Sequence, residues 1–181
     1  MPALQKTPYL IFAGPIVVGR GVGQVLSELK VKQSVVINLP VAESFTYQLD
    51  LENLIEWSSM VIAAKKTSPG EMQIGTTWRV TIRFLGRWLE NTYVVVEWEA
   101  GRQITLKSTS GITPCHFSFT FESLAGEKTN LLREAMINLR IKGGFMDVAE
   151  PVLASVLRRQ VEHDLLTLKD LLEGRITFPP V

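Results

Sequence analysis

Residues 76–109 read TTWRVTIRFLGRWLENTYVVVEWEAGRQITLKST, and the alternation in this stretch decides the fold. Three runs rich in β-branched and aromatic residues are separated by two short breaks, Leu85-Gly86 and Ala100-Gly101. Such short connections admit only antiparallel pairing, because a parallel neighbour needs a crossover of about a dozen residues. Read as a two-residue loop, the first break pairs Phe84 with Arg87, Ile82 with Leu89, Val80 with Asn91 and Trp78 with Tyr93. The second pairs Glu97 with Ile104, Val95 with Leu106 and Tyr93 with Ser108. Side chains alternate across a strand, so one face collects Trp78, Val80, Ile82, Phe84, Leu89, Asn91, Tyr93, Val95, Ile104, Leu106 and Ser108. Arg79, Thr81, Arg83, Trp88, Glu90, Thr92, Val94, Thr105 and Lys107 take the other. The apolar face is expected to be concave and to look inward.

The same punctuation continues on both sides. Strand signals run over about 31–39, 60–65, 115–122 and 129–141, with Ser68-Pro69-Gly70, Ser110-Gly111 and Ala125-Gly126 between runs. Phe117, Phe119 and Phe121 alternate with His116, Ser118, Thr120 and Glu122, which adds the phenylalanines to the inner face. Arg133 shares parity with Leu131, Ala135, Ile137 and Leu139. After the first strand, Pro40 suits a first helical position and Glu43 the first turn, predicting short helices over 41–49 and 51–57. Pro151 and Gly174 bracket a long C-terminal helix, roughly 34 Å at 1.5 Å per residue. Its apolar stripe is Met146, Ala149, Leu153, Val156, Leu157, Val161, Leu165, Leu168 and Leu172. Only the sheet is wide enough to cover such a stripe.

The bulk numbers agree with one α+β domain. The chain has 181 residues, 46% of them hydrophobic, a formal net charge of +1 and a mean hydropathy of +0.16. That suits a soluble protein with a large apolar interior and provides no global field for nucleic acid or anionic membranes. The lone Cys115 excludes an internal disulfide framework and fits a reducing compartment, so the cytoplasm is expected. No window reaches the ~18 unbroken apolar residues of a membrane helix. Residues 1–30 differ from the rest: short strand-like runs at 9–12 and 16–18, then Val22, Val25, Leu26 and Leu29 at helical spacing. They are expected to form an N-terminal extension that caps the domain 31–174 or joins subunits, with 175–181 as a C-terminal tail.

Several strings resemble one superfamily. Val36-Ile37-Asn38-Leu39-Pro40-Val41 followed by Phe45, Asp50-Leu51-Glu52-Asn53 ending in Trp57, and Ile74-Gly75-Thr76-Thr77-Trp78 carry the likeness. Val94-Val95-Val96-Glu97-Trp98-Glu99 and the segment from Arg158 to Leu165 extend it over about residues 31–173. The order of elements and these strings resemble the START-like, or helix-grip (SRPBCC), superfamily, in its bacterial polyketide cyclase/dehydrase-like and coenzyme Q-binding branch. The resemblance implies a curved antiparallel sheet of about seven strands wrapped around the last helix. It also implies a deep cavity for apolar molecules such as polyketides, isoprenoid quinones, sterols or lipids. The same fold carries transporters, binding proteins and enzymes, so it does not choose among them.

Chemistry-bearing residues are few. Two histidines, His116 and His163, and one cysteine without ligand spacing leave no metal site, and no cofactor is expected. Cys115 and His116 are adjacent on a strand, point to opposite faces and cannot work as a nucleophile–base pair. Gly19-Arg20-Gly21-Val22-Gly23 lacks the setting of a phosphate loop. Asn91, Tyr93 and Ser108 are inward polar groups, better read as satisfied core groups or ligand-orienting contacts than as acid–base catalysts. Arg133 is placed either in the cavity, holding a carboxylate or enolate oxygen, or at its rim. Glu90 faces water beside Arg79 and Arg83. Arg79, Arg83, Arg87 and Lys107, with Trp88 and Trp98 beside them, read as a solvated sheet face before an RNA or lipid contact.

The expected cavity lining is therefore Trp57, Trp78, Val80, Ile82, Asn91, Tyr93, Leu106, Ser108, Phe117, Phe119, Arg133, Met146, Ala149, Leu153 and Leu157. The leading expectation is binding or transport of an apolar small molecule, without catalysis. A polyketide cyclase, aromatase or dehydratase using Tyr93, Arg133 or Glu90 is the second. A protein-interaction or ribosome-associated module is the third. A hydrophobic ligand is the expected partner, with no nucleic acid, at most peripheral membrane contact and a possible homodimer.

Overall fold

The computed structural model describes residues 27–84, 86–111, 114–139 and 150–175. Seven strands appear in it: β1 (Ser27–Ile37), β2 (Val61–Lys66), β3 (Thr77–Phe84), β4 (Arg87–Glu99), β5 (Gln103–Ser108), β6 (Cys115–Leu124) and β7 (Lys128–Leu139). They form one antiparallel sheet in the order β1-β7-β6-β5-β4-β3-β2. The strands from β2 to β7 are a meander, each paired with its sequence neighbour. The first strand closes onto the last, from Ser27 opposite Leu139 to Ile37 opposite Thr129. α1 (Val41–Leu49), a 3-10 turn (Leu51–Asn53) and α2 (Leu54–Trp57) carry the chain from β1 to the far edge at β2. The second expected helix is thus split in two, and Pro40 is the N-cap of α1, one residue before the helical position expected for it.

β1 begins at Ser27, so Leu29 is a buried strand residue and not part of an amphipathic helix. β7 is long enough to pair with all of it, which explains the override: eleven ladder positions outweigh weak helical spacing in a β-branched segment. The strand-like runs at 9–12 and 16–18 and the rest of the expected helix lie outside the described residues.

The β3–β4 register agrees with expectation at every pair, from Phe84 opposite Arg87 to Trp78 opposite Tyr93; Leu85 itself lies outside the described residues. The β4–β5 hairpin corrects one pair. Glu99 lies opposite Gln103, leaving a three-residue loop closed by Arg102 N–H donating to the Glu99 carbonyl (3.0 Å), and Glu97 faces Thr105 instead of Ile104. A bulge between Val95 and Glu97 then absorbs the extra residue, so Val95 still meets Leu106 and Tyr93 still meets Ser108. The two irregularities cancel toward the middle of the sheet. Trp98, expected beside the outer basic patch, is turned inward opposite Ile104, with its ring 5.2 Å from that of Phe45.

α3 (Glu150–Leu172) lies on the sheet, chiefly against β1. Leu153, Leu157, Val161, Leu165 and Leu168 are buried along one face, each nearly or wholly out of water. Val156, expected on that stripe, is 41% exposed, so the buried stripe is narrower than the apolar one. Gly174 takes a positive φ of 69°, the left-handed stop that a side chain would resist. Just past the helix, Glu173 accepts from both the backbone N–H (2.7 Å) and Nδ2 (2.8 Å) of Asn38 and pairs with Lys169 (2.5 Å) and Arg175 (2.7 Å). Lys169 also donates to the Val36 carbonyl. These contacts clamp the end of α3 to the end of β1.

Candidate functional site

Helix and sheet do not close on each other completely. A cavity of about 140 Å³ remains between them. Strands β3 to β7 supply Val80, Ile82, Phe84, Leu89, Asn91, Tyr93, Leu106, Cys115, Phe117, Phe119, Arg133, Ala135 and Ile137. Leu51, Leu54, Ser58, Met60 and Val61 close one side, Val31 joins from β1, and Leu157 and Val161 come from α3. Almost all of this wall is hydrocarbon and aromatic ring. It is the face that alternation selects: Tyr93 is 5% exposed and Val80 5%, while Trp88 on the other face is 66% exposed.

Of the lining expected from sequence, Val80, Ile82, Asn91, Tyr93, Leu106, Phe117, Phe119, Arg133 and Leu157 border the cavity. Trp57, Trp78, Ser108 and Leu153 do not. Trp57, Trp78 and Leu153 are packed into the core. Ser108 is spent on the β5–β6 connection, where its hydroxyl accepts from the Cys115 backbone N–H (2.9 Å). Met146 and Ala149 lie outside the described residues. Glu90 faces outward, 3.9 Å from Arg79 in an exposed ion pair.

Arg133 enters the cavity instead of reaching the rim. Its guanidinium carbon lies 5.5 Å from the Trp57 ring centre and 5.7 Å from that of Phe119, its cross-strand partner. Its Nη1 is 3.5 Å from Asp164 Oδ2, too long for a good hydrogen bond but close enough for strong attraction away from water. Asp164, wholly buried, was missed by the sequence reading. The signal was present: residues 157, 161, 164 and 168 fall on one helical face, and an acid among Leu157, Val161 and Leu168 is a buried acid. Ser58 Oγ donates to its Oδ2 (3.0 Å), and the Ser59 N–H (3.1 Å), Ser59 Oγ (2.6 Å) and Gln160 Nε2 (3.3 Å) donate to Oδ1. The carboxylate is fully answered. The guanidinium is not: Nε and Nη1 have no hydrogen-bond partner among the described residues.

A second polar cluster sits on β4 and β6. Tyr93 Oη and Cys115 Sγ are 3.4 Å apart, and the Tyr93 ring is 5.5 Å from Phe117. Burial pushes the Tyr93 hydroxyl far above its ordinary value; Cys115 adds to this, against smaller pulls from Asn91 and Arg133. Burial likewise raises the Cys115 thiol, partly offset by hydrogen bonds with Tyr93 and Ser108. Burial lowers Arg133 and Asp164 opposes it. Asn91 is 4% exposed, and its Oδ1 has no partner among the described residues. Among the described residues no group of His, Cys, Asp and Glu has metal-binding geometry, and no helix is long and apolar enough to cross a membrane.

A curved antiparallel sheet gripping a long terminal helix around an apolar cavity defines the START-like, helix-grip class. Comparison with known proteins gives the family: the model described as "Polyketide cyclase / dehydrase and lipid transport" matches residues 28–173, and the chain belongs to that family. Among solved structures, it resembles a START superfamily protein from Mycobacterium smegmatis at a TM-score of 0.68 and 14% identity, covering 82% of this chain and 99% of that one. It also resembles the Zhui aromatase/cyclase from Streptomyces sp. R1128 at a TM-score of 0.67 and 15% identity, covering 83% and 97%. At such identities the likeness is one of fold. No curated protein matches in sequence.

Proposed function

We propose that this protein binds an apolar small molecule between its sheet and its last helix and carries or presents it without altering it. The observation that carries this reading is an unfilled apolar space of about 140 Å³ inside an otherwise well-packed core. Folding rarely leaves such a gap, because each lining side chain forfeits contacts across it. A bound ring or short chain would restore them and gain about 25 cal/mol per Å² of buried apolar surface. The volume is that of one ring, comparable with an engineered apolar cavity of about 150 Å³ that admits benzene. A whole lipid, isoprenoid quinone or polyketide is larger than this volume. On this reading the protein acts in the cytoplasm, with membrane contact at most peripheral.

A cyclase-like activity is the second reading, favoured by Tyr93, Cys115 and Arg133 reaching one cavity. All three are groups that hold their protons near neutrality. They can donate a hydrogen bond or orient a carbonyl, but none is a ready base, and a cyclisation that starts by proton removal needs one. Binding is the better-supported conclusion. The test is solvent extraction of purified protein followed by mass spectrometry, with calorimetric titration of one-ring and fatty-acyl compounds. Stoichiometric apolar material, or saturable binding of any of these compounds, supports the reading. An empty extract together with no binding overturns it.

A further inference from the structure

The strand ladder places the cavity toward one end of the sheet. β3 and β4 meet at that end in the hairpin closed by Phe84 and Arg87, and Phe84 and Leu89 are cavity wall. β1 starts and β7 finishes there, with Ser27 opposite Leu139. β2 begins beside the same hairpin, where the Arg83 N–H donates to the Met60 carbonyl (2.8 Å). The first turns of α3 belong to this end too, because its last turn is clamped to Val36 and Asn38 at the finish of β1.

The surface of this end is both apolar and basic. Trp88 is 66% exposed on the outer face, opposite Arg83. Ile62, in the bulge of β2, is 38% exposed, and Val152 on the first turn of α3 is 54% exposed, with Val156 one turn on. β2, β3 and residues 87–92 of β4 carry Lys65, Lys66, Arg79, Arg83 and Arg87 against the single acid Glu90. That acid already faces Arg79 at 3.9 Å. A chain with a net charge of only +1 thus gathers cations around its most exposed tryptophan.

These side chains suit one partner best. An indole, with an apolar body and a polar N–H, settles where lipid headgroups meet acyl chains, and basic residues beside it attract anionic headgroups. Exposed aliphatic side chains such as Ile62 and Val152 gain by entering the same layer. A nucleic acid would use the cations and the ring but not the aliphatic residues. We propose that this end of the molecule docks on the surface of an anionic membrane, with Trp88 in the headgroup layer, Arg83 among the phosphates and the cavity end turned toward the lipid. The proposal goes beyond ligand binding and stands without it.

The test is co-sedimentation of the full chain with vesicles of phosphatidylcholine containing about 30% phosphatidylserine, beside vesicles of phosphatidylcholine alone. Expected is binding at least about tenfold tighter to the anionic vesicles at low salt, an advantage lost near 1 M salt, where charges are screened within about 3 Å. Trp88→Ala should weaken this binding about tenfold and Arg83→Gln about fivefold. Leu124→Ala, at an exposed apolar residue of the opposite end, should leave it unchanged. All three side chains are exposed, and melting followed by circular dichroism verifies that the variants fold. Vesicles with brominated acyl chains should quench the wild-type fluorescence and not that of Trp88→Phe, since Trp57 and Trp78 are buried and Trp98 is turned inward. No binding to anionic vesicles, or binding that both Trp88→Ala and Arg83→Gln leave unchanged, overturns the proposal. So does a stable dimer that Trp88→Ala dissociates, or single-stranded RNA held more tightly than the vesicles through the same two residues. Ligand binding in the cavity is tested separately by the calorimetry described above, so failure of one leaves the other standing.

Discussion

Arg133 Nη1 stands 3.5 Å from Asp164 Oδ2, and this contact joins the last strand to the last helix with both side chains out of water. Asp164 keeps four other hydrogen-bond donors, from Ser58, Ser59 and Gln160, whereas Arg133 has aromatic rings and open cavity around it. The acid is the fixed anchor of the pair. Removing the acid alone strands a buried cation. Asp164→Asn is expected to lower stability by about 3–5 kcal/mol in urea denaturation, and the double change Arg133→Met with Asp164→Leu to recover most of it. A double variant no better than Asp164→Asn would contradict the pairing.

Glu173 links stability to pH. Burial alone would raise its carboxyl, but Lys169, the Asn38 N–H and Arg175 outweigh burial and hold it below the ordinary carboxylate range. A group depressed on folding contributes stability that is present above its unfolded value, about 4.3, and lost as pH falls toward the lower folded value. Wild-type stability should therefore drop more steeply than that of Glu173→Gln between about pH 5 and pH 3. Parallel urea midpoints for the two proteins across that range would refute the assignment.

Cys115 reports on the enclosure of the cavity. Its thiol is buried and raised above the ordinary value, so little thiolate is present at neutral pH. Labelling with Ellman's reagent at pH 8 should be at least about tenfold slower in native protein than in urea, and slower still with a bound ligand. Equal native and unfolded rates would mean that the cavity is open.

Gly111 has a positive φ of 109° and no room for a Cβ beside Asn91. Gly111→Ala is expected to cost about 1–3 kcal/mol from backbone strain, plus a further loss from displacing the Asn91 amide. Adding Asn91→Ala should relieve the second part only. A double variant whose cost equals the sum of the two single costs would disprove the contact.

Filling the cavity separates binding from folding. Ala135 borders it from β7, and Ala135→Leu should abolish binding of one-ring compounds while changing stability by less than about 3 kcal/mol. Leu157→Ala enlarges the same space and should cost about 2–5 kcal/mol in thermal or urea denaturation. Undiminished binding by Ala135→Leu would move the ligand site elsewhere.

The sheet was legible because its information is local. Period-two alternation and glycine-bearing breaks define strand limits, partners and the inner face, and Trp78, Val80, Tyr93 and Leu106 are buried as their parity requires. The long helix was equally plain from Pro151, Gly174 and its stripe. What the chain alone did not disclose depends on three-dimensional coincidence. The bulge at Val96 and the three-residue loop after Glu99 leave no trace in alternation, because each undoes the other's shift; only the residues caught between them, Glu97 and Trp98 among them, change sides. Asp164 and Arg133 lie on different elements, and only packing α3 across the sheet makes them partners. The cavity is the extreme case, since a side chain facing a gap and one facing a neighbour share a composition: Trp57 and Trp78 are core and Phe119 is wall by position alone. Residue pattern determines which way a side chain points; whether anything fills the space it points into is a property of the assembled whole.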